Sequence, residues 1–266
     1  HVAAFIKSFY RRSDMSMLEL TPDFIKEFAA YLSTEAGLRN GSIWANCMWL
    51  KGVVMKAHYN GLIPRNPFIQ FHISPNVKER EYLTEDELKA VMTHEFADSK
   101  LAYIRDIFIF ASFTALSFVD IQELTNDNIV EVNGEKWILS KRHKTKVAFQ
   151  VKLLDIPLQI VERYRPMQKD NRIFPGLNYW SICKPLKRMI RECGITKSIS
   201  FHCSRHGFAT LALSKGMPIE SVSRVLGHTN IVTTQLYAKI TTQKLDNDLT
   251  MFGDKLSKTF NGITMS

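Results

Sequence analysis

The stretch SRHGFATLALSKGMPIESVSRVLGHTNIVTTQLYAK, residues 204–239, carries the strongest structural pattern in the chain. Apolar residues recur at helical spacing in its first half, which predicts a helix with one face in a core. Gly227 then predicts the end of a helix and Asn230 the start of the next, with His228 on the turn between them. Tyr237 follows His228 by nine residues, so we expect it near the end of that second helix.

A histidine–arginine pair lies at the start of this stretch. His202 precedes Arg205 by three residues, so a helix places both side chains on one face. Both donate hydrogen bonds to anionic oxygens, and arginine can do so bidentately to a phosphate. Taken alone, such a pair is more often found on a surface or at a helix cap, and a lone tyrosine on an apolar helix is usually a core residue. The combination with His228 and Tyr237, in this order, favours a phosphate site.

The positive charge of the chain is concentrated in one segment. Over all 266 residues, 35 Lys and Arg oppose 26 Asp and Glu, for a net charge of +9. Residues 136–215 hold 17 of the basic residues and four acidic ones, whereas residues 84–135 hold three and 11. A basic segment inside a well-mixed globular sequence indicates a surface for a polyanion, most simply a nucleic acid. On charge alone, solvated helix faces explain the pattern about as well.

The rest of the composition excludes several classes of protein. The four cysteines are widely spaced and form no C-x-x-C pair, which excludes a dense disulfide framework and argues against a zinc site. No apolar run reaches the length of a transmembrane helix, and the first residues lack the apolar core of a signal peptide. We therefore expect no membrane association, and scattered reduced thiols fit a cytoplasmic protein.

The patterns divide the chain into two domains. Residues 71–83 combine a proline with a run of charged residues, as expected of a linker. We therefore place a helical domain at residues 1–78 and a second domain at residues 79–266. In the second domain, a T-x-x-E capping box at residues 84–87 opens a helix, and Asn133–Gly134 between apolar runs predicts a β-hairpin. The expected fold class is mainly α, with a small antiparallel β-sheet in the second domain.

In these motifs the chain resembles the tyrosine recombinase, or phage integrase, family. The family's C-terminal motif is H-x-x-R, then L-G-H, then a tyrosine about nine residues on. Here these are His202 to Arg205, Leu226 to His228, and Tyr237. The match runs without a gap from the arginine to the tyrosine, and its details are most similar to integrases of conjugative transposons and related mobile elements.

The resemblance covers the whole chain and implies a site-specific DNA recombinase or integrase. Residues 1–78 correspond to a core-type, SAM-like DNA-binding domain and residues 79–266 to the catalytic domain, which together form a C-shaped DNA clamp. Tyr237 attacks a DNA phosphodiester to give a 3′-phosphotyrosine and a free 5′-hydroxyl. Strand exchange and religation follow, and the resemblance implies that they need no metal, cofactor or ATP.

Cationic side chains carry the implied chemistry. Arg205, His202 and His228 stabilise the negative charge that gathers on the non-bridging oxygens of the phosphate. The family's lysine lies in a β-hairpin and protonates the leaving 5′ oxygen. Lys144 is the best match for it here, and Lys146, two residues further on, is the second choice.

One family residue is missing from the chain. The family carries an earlier arginine in a motif of the form T-G-L-R-x-x-E-L, and the corresponding residues 114–121 have Ser117 in its place. Two interpretations stay open: the protein is a weakened or inactive relative, or another cation substitutes. We favour Arg142, because it lies two residues from Lys144 and a strand would turn both side chains to the same face. This predicts that Arg142→Ala abolishes cleavage and that Ser117→Ala is milder.

The expected partner is double-stranded DNA at attachment or core sites, bound mostly through its phosphates. The candidate contacts are Lys141, Lys146, Lys152, Lys184, Lys187, Arg188 and Arg191. Beyond Tyr237 the chain continues as an amphipathic tail. In the family such a tail packs into a neighbouring protomer, which implies a homotetramer on DNA; a tail that folds back on its own domain is the alternative. When bound to DNA, the protein is expected at the bacterial nucleoid.

Other functions account for these residues less well. A type IB topoisomerase uses the same chemistry to relax supercoils, but the small helical first domain and the L-G-H-T-N match favour a recombinase. A non-catalytic DNA-binding relative is the alternative that Ser117 supports, and it predicts binding without a covalent adduct. An ordinary basic helical domain does not explain the ordered lysine, H-x-x-R, histidine and tyrosine.

Overall fold

The computed structural model describes residues 1–75, 81–143, 146–168, 170–238 and 242–260, with the backbone alone at 242–244 and 247. The chain divides into two compact units, His1–Glu79 and Arg80–Ser266. Within the described ranges, no helix is long and apolar enough to cross a membrane.

The first unit is helical and has an aromatic core. Its helices are α1 (Val2–Phe9), α2 (Pro22–Thr34) and α3 (Asn40–Tyr59). Helix α2 begins where the Thr-Pro pair places it, because the Thr21 hydroxyl accepts a hydrogen bond from the Phe24 backbone and proline occupies the first helical position. The rings of Phe5, Phe24 and Phe28 are fully buried and pack against one another.

The second unit is built around one apolar helix. Its helices are α4 (Glu85–Thr93), α5 (Ser99–Thr114), α6 (Phe118–Gln122), α7 (Asp155–Tyr164), α8 (Tyr179–Glu192), α9 (Cys203–Ser214), α10 (Ile219–Leu226), α11 (Val232–Gln235) and α12 (Thr242–Thr259). Helix α5 is buried on most of its surface and packs against α7, α8 and α9. The predicted capping box is present, since the Thr84 and Glu87 side chains accept hydrogen bonds from each other's backbone N–H groups.

A small antiparallel sheet lies in the second unit. Its strands are β1 (Ile129–Val132), β2 (Glu135–Lys141) and β3 (Ala148–Lys152), in the order β1-β2-β3 within the described part of the chain. Asn133 and Gly134 both have positive φ, +53° and +77°, as a two-residue hairpin turn between twisted strands requires. The predicted fold class, mainly helical with a small antiparallel sheet, is confirmed. The β2–β3 connection passes through residues 142–147, of which Lys144 and Thr145 lie outside the described residues.

Candidate active site

Arg205 forms the buried centre of the candidate site. It lies in the first turn of α9 and is 8% exposed. Its Nη1 donates to the Ala115 carbonyl at 2.8 Å, and its Nη2 donates to the Leu226 carbonyl. Burial, reinforced by the positive charge of Arg142, lowers the pKa of Arg205 to about 10. The guanidinium therefore stays charged at neutral pH and is fixed between the end of α5 and the end of α10.

Arg142 lies beside Arg205 and is more buried, at 5% exposed. Its Nη1 donates to Asp120 Oδ2 at 2.7 Å, its Nη2 donates to the Val225 carbonyl at 2.5 Å, and its guanidinium carbon lies 4.0 Å from the centre of the Phe149 ring. Its Nε has no hydrogen-bond partner among the described residues. Arg142 does not lie on a strand as predicted from its spacing to Lys144, because β2 ends at Lys141 and Arg142 is the first residue of the connection that follows.

Asp120 explains what Ser117 does in this chain. The Ser117 hydroxyl donates to Asp120 Oδ2 at 2.8 Å and accepts from the Asp120 backbone N–H, so the two residues cap the start of α6. Burial alone would raise the pKa of Asp120, but hydrogen bonds from the His143 backbone, Arg142 and Ser117 outweigh it and hold the pKa below its usual range. Ser117 thus supports a buried carboxylate, and that carboxylate holds the guanidinium of Arg142.

Gly227 makes room for this guanidinium. It ends α10 in the left-handed conformation at φ +63°, as the sequence pattern predicts for a helix-ending glycine. A Cβ atom at this position would lie 2.9 Å from Arg142 Nε and 3.0 Å from Arg142 Cγ. The glycine of the L-G-H motif is therefore required both for the turn and for the close approach of Arg142.

His228 and Tyr237 face each other across this turn. Their rings are nearly parallel, at 15°, with centroids 6.5 Å apart. The His228 Nδ1 shares a hydrogen bond with the hydroxyl of Thr234 at 2.9 Å. Burial, together with the charges of Arg205, Arg142 and His202, lowers the pKa of His228 to about 4, so this imidazole is neutral at pH 7. The predicted second helix is short, since α11 ends at Gln235 and Tyr237 lies in the turn after it.

A second histidine contacts the tyrosine. His206 is buried, and its ring centroid lies 5.1 Å from that of Tyr237 and 4.7 Å from that of His202. His202 itself is exposed at the start of α9. A helix turns His206 about 100° away from the adjacent Arg205, which is typical of a packing or supporting residue. His206 packs against His202 and Tyr237, two of the proposed catalytic side chains, since the segment with Tyr237 approaches α9 on the side of His206.

The candidate DNA contacts lie mostly on the surface. Lys184, Lys187 and Arg191 are exposed on α8, whose apolar residues are buried on its other side. Arg188 is on the same helix but pairs with Glu192 at 2.8 Å and with Asp98 at 3.3 Å. Lys152 pairs with Glu135 at 2.7 Å, whereas Lys141 is exposed. Lys146 is exposed with φ +57°, and its backbone N–H donates to the Arg142 carbonyl, so it lies in the connection and not on a strand.

Two family models match the chain. The model of the phage integrase SAM-like domain matches residues 1–73, and that of the phage integrase family matches residues 81–244, more than half of the chain. The chain belongs to the phage integrase family. The second match includes His202, Arg205, His228 and Tyr237.

Named relatives and solved structures agree with this membership. Tyrosine recombinase XerA of Pyrococcus horikoshii is 32% identical over 177 residues, which are 61% of this chain and 58% of that protein. Tyrosine recombinase XerC of Lactobacillus leichmannii is 25% identical over 229 residues, 80% of this chain and 77% of that protein. This chain thus spans less than two thirds of the length of the XerA protein.

Two solved structures share the fold. The Tn1549 transposon integrase in complex with a circular intermediate DNA has a TM-score of 0.75 at 18% identity, over 88% of this chain and 86% of that one. A lambda integrase dimer bound to a core site has a TM-score of 0.68 at 18% identity, over 89% and 86%.

Several residues of this integrase-family site were not found by sequence reasoning. Asp120 and Thr234 each contact a proposed catalytic side chain. In the sequence, however, nothing distinguishes these two residues from ordinary helix-capping residues. Trp180 is the second residue of the basic helix α8 and is 83% exposed, which makes it a further surface residue one turn before Lys184. A tryptophan four residues before a lysine on a basic helix is a sequence signal for it. Among the residues that the structure describes, no group of three or more His, Cys, Asp or Glu has the arrangement of a metal site.

Proposed function

We propose that the chain is a site-specific DNA recombinase in which Tyr237 is the nucleophile. The observation that carries the proposal is the convergence of two buried guanidiniums, Arg142 and Arg205, on the turn that holds His228 opposite Tyr237. The Tyr237 oxygen forms a bond to phosphorus, and the bond between phosphorus and the 5′ oxygen of the next nucleotide breaks. The phenolic proton is released to water, and the departing 5′ oxygen takes up a proton, for which Lys144 is the proposed donor, to become a hydroxyl.

The charge balance of the site favours an anionic ligand. Two guanidiniums are buried next to each other, and Asp120 is the carboxylate bonded to one of them. Burying a charge without a partner costs free energy, so a second anion in this position stabilises the protein as well as being bound by it. The non-bridging oxygens of a phosphodiester supply that anion, and arginine side chains match their geometry.

The nucleophile needs the same cations. Free tyrosine has a pKa near 10, so only about 0.1% of it is phenolate at pH 7. The charge of Arg205 interacts with Tyr237 and favours the ionised oxygen. His228 enters the reaction neutral and can donate one ring N–H to the phosphate. His202 is exposed at the edge of the site, and we propose that it faces the duplex. Lys144, which lies outside the described residues, is proposed as the proton donor to the 5′ oxygen.

Double-stranded DNA is the proposed partner. The Tn1549 and lambda integrase structures are complexes with DNA, and the exposed basic residues of α8 suit a phosphate backbone. The proposed DNA contacts are Lys141, Lys146, Lys152, Lys184, Lys187, Arg188 and Arg191. Of these, Lys152 and Arg188 would exchange a carboxylate partner for a phosphate, so we expect them to contribute less to affinity.

Assembly into a tetramer is proposed to run through the tail. Helix α12 and the residue that follows it expose apolar side chains, namely Leu245, Leu249, Met251, Phe252 and Leu256 on the helix and Phe260 after it. The second unit also has a cavity of about 250 Å³ lined by Leu83, Leu88, Phe108 and Leu211. This volume is below the roughly 300–1,000 Å³ of small-molecule pockets, so it suits one or two side chains of a neighbour's tail. A chain ending at Ala238 should then bind DNA as a monomer, whereas light scattering of the full chain on DNA should give higher-order complexes.

A suicide-substrate assay tests the proposed function. Duplexes recovered from a randomised pool by binding to the Tyr237→Phe protein are nicked beside candidate cleavage positions and incubated with the parent protein in EDTA. A protease-sensitive protein–DNA adduct that Tyr237→Phe abolishes is the expected result. Binding without an adduct supports the inactive-relative alternative, to which Ser117 points. Relaxation of plasmids that lack the selected sequence supports a topoisomerase.

A further inference from the structure

A buried hydroxyl connects the tyrosine segment to His228. Thr234 is 0% exposed, and its Oγ1 lies 2.9 Å from His228 Nδ1. The same residue accepts, through its backbone carbonyl, a hydrogen bond from the Tyr237 N–H at 3.0 Å. The mechanism above uses His228 and Tyr237 but gives Thr234 no role.

The hydrogen bond fixes the orientation of the imidazole. A histidine that acts through one ring nitrogen is commonly oriented by a partner on the other nitrogen, and that partner also selects the tautomer. With Nδ1 engaged by Thr234, Nε2 is the nitrogen left for a phosphate oxygen. The ring of His228 could otherwise turn, because it follows the glycine turn that ends α10 and is only half-buried.

The charges around His228 do not replace this contact. The groups that face it are Arg205 and His202 from α9, Arg142 from the β2–β3 connection, and the Tyr237 ring from the segment after α11. All three disfavour protonation of the imidazole, and the two guanidiniums are donors only and offer it no acceptor. The Thr234 hydroxyl is uncharged and can donate or accept, so it sets the direction of the ring.

We propose that Thr234 is a positioning residue that orients His228 only while the tyrosine segment is docked against its own catalytic unit. Thr234 and Tyr237 are three residues apart and joined by a backbone hydrogen bond, so a movement of the whole segment that withdraws the tyrosine also withdraws the hydroxyl from His228. The oriented histidine and the docked nucleophile are thereby present together or absent together. This inference rests on the proposed function, since it assigns Thr234 to the same reaction.

Matched substitutions test the role of the hydroxyl. Thr234→Val keeps the shape of the side chain and removes the hydroxyl, Thr234→Ser keeps the hydroxyl, and Thr233→Val makes the same change at the exposed neighbouring position. The probe is the selected nicked duplex, and the readout is the single-turnover rate of adduct formation at saturating protein. We expect Thr234→Val to slow this rate by about 10- to 100-fold, the usual cost of removing such a supporting partner. Thr234→Ser and Thr233→Val should stay close to the parent, and DNA affinity should be unchanged in all three.

Two further measurements separate positioning from packing. In a His228→Gln background, Thr234→Val should slow the reaction no further, because the residue it orients is absent. The second measurement is histidine ring NMR in the Tyr237→Phe background. Adding Thr234→Val should alter the His228 signals, whereas adding Thr234→Ser should leave them as they are. If the Thr234→Val protein does not melt cooperatively, Thr234→Ala takes its place.

The outcomes are distinguishable. A parental rate in Thr234→Val, an equal loss in Thr234→Ser, or an undiminished effect of Thr234→Val in the His228→Gln background each overturns the proposal. Absence of an adduct with the parent protein overturns the proposed function, and the NMR comparison then still decides whether Thr234 orients His228.

Discussion

Removing Arg142 is the most informative single change, because two separate consequences follow from its contacts. Arg142→Ala leaves Asp120 buried without the guanidinium that neutralises it, and it removes one of the two cations proposed to hold the phosphate. The first consequence concerns the free energy of unfolding and the second concerns the rate of cleavage. They differ in size and can be measured apart.

The loss of stability follows from the environment of Asp120. Breaking a buried ion pair by removing one partner costs about 3–5 kcal/mol. Asp120 keeps hydrogen bonds from the His143 backbone and from Ser117, so we expect a value near the lower end, about 3 kcal/mol. For a unit of this size, each kcal/mol lowers the melting temperature by about 2–4 °C, which predicts a decrease of roughly 6–12 °C.

The loss of rate follows from the cation itself. Removing one preorganised donor to developing charge costs about 10²- to 10³-fold in rate, which corresponds to about 2.7–4 kcal/mol of barrier. The assay is single-turnover adduct formation on the selected nicked duplex, at a temperature where every variant is folded. Arg142→Ala combined with Asp120→Ala removes the unpaired carboxylate, so it should recover part of the melting temperature and none of the rate.

Ser117→Ala and Ser117→Arg complete the comparison. Ser117→Ala removes one hydrogen bond to Asp120 and leaves Arg142 in place, so its rate should fall much less than that of Arg142→Ala. Ser117→Arg in the Arg142→Ala background returns a cation near Asp120 and should restore part of the rate. Cleavage by folded Arg142→Ala at the parental rate would refute the assignment of Arg142.

Three other predictions concern neighbouring residues. Gly227→Ala puts a Cβ 2.9 Å from Arg142 Nε and forces an alanine into the left-handed conformation. The rate of adduct formation should therefore fall about as far as in Arg142→Ala. A parental rate would show that the Arg142 side chain can move away. His206→Ala removes a ring that packs against Tyr237, so the rate of adduct formation should fall. His206→Phe keeps a ring in this place and should retain most of the parental rate. Equal losses of rate in the two variants would argue against a packing role. The pKa of His228 is about 4 in the folded protein and 6.5 in an ordinary histidine, so the unfolded state binds more protons between pH 4 and pH 6.5. The free energy of unfolding should therefore decrease as the pH falls from 6.5 to 4. Thermal melts against pH should show this decrease, and His228→Gln should reduce it.

Local patterns determined most of the fold. The capping box at α4, the Asn-Gly turn and the helix-ending Gly227 are each decided by neighbouring residues in the sequence, and each is present where the pattern predicts it. The start of α3 differs, since Arg39 precedes its first residue, Asn40, and makes no capping hydrogen bond through its side chain. Caps with side-chain hydrogen bonds are visible in a sequence, and helix starts without them are not.

The site itself could be predicted only in part. The H-x-x-R and L-G-H motifs identify the side chains of the site but do not indicate which of them pack together. The contact between His206 and Tyr237, for example, depends on the path of the chain after α11. Arg142 was selected for a strand geometry that is not present, because β2 ends one residue before it. Its side chain reaches the site through a pairing with Asp120, 22 residues earlier in the chain, and such a long-range ion pair leaves no local pattern.

Under the proposed function, the arginine that the family carries before α6 and Arg142 after β2 solve one electrostatic problem from two places. A phosphate responds to the position of a positive charge and not to the element that supplies it. What the site requires is a carboxylate that holds the guanidinium in place. Asp120 corresponds to the acidic residue of the motif T-G-L-R-x-x-E-L, and there it binds the guanidinium of Arg142 from the β2–β3 connection. On this view Ser117 is compatible with catalysis because the carboxylate, the glycine that leaves space at residue 227 and Arg142 form one unit. A change to any one of the three should then impair cleavage strongly, whereas Ser117→Ala, which removes one hydrogen bond to Asp120, should impair it much less.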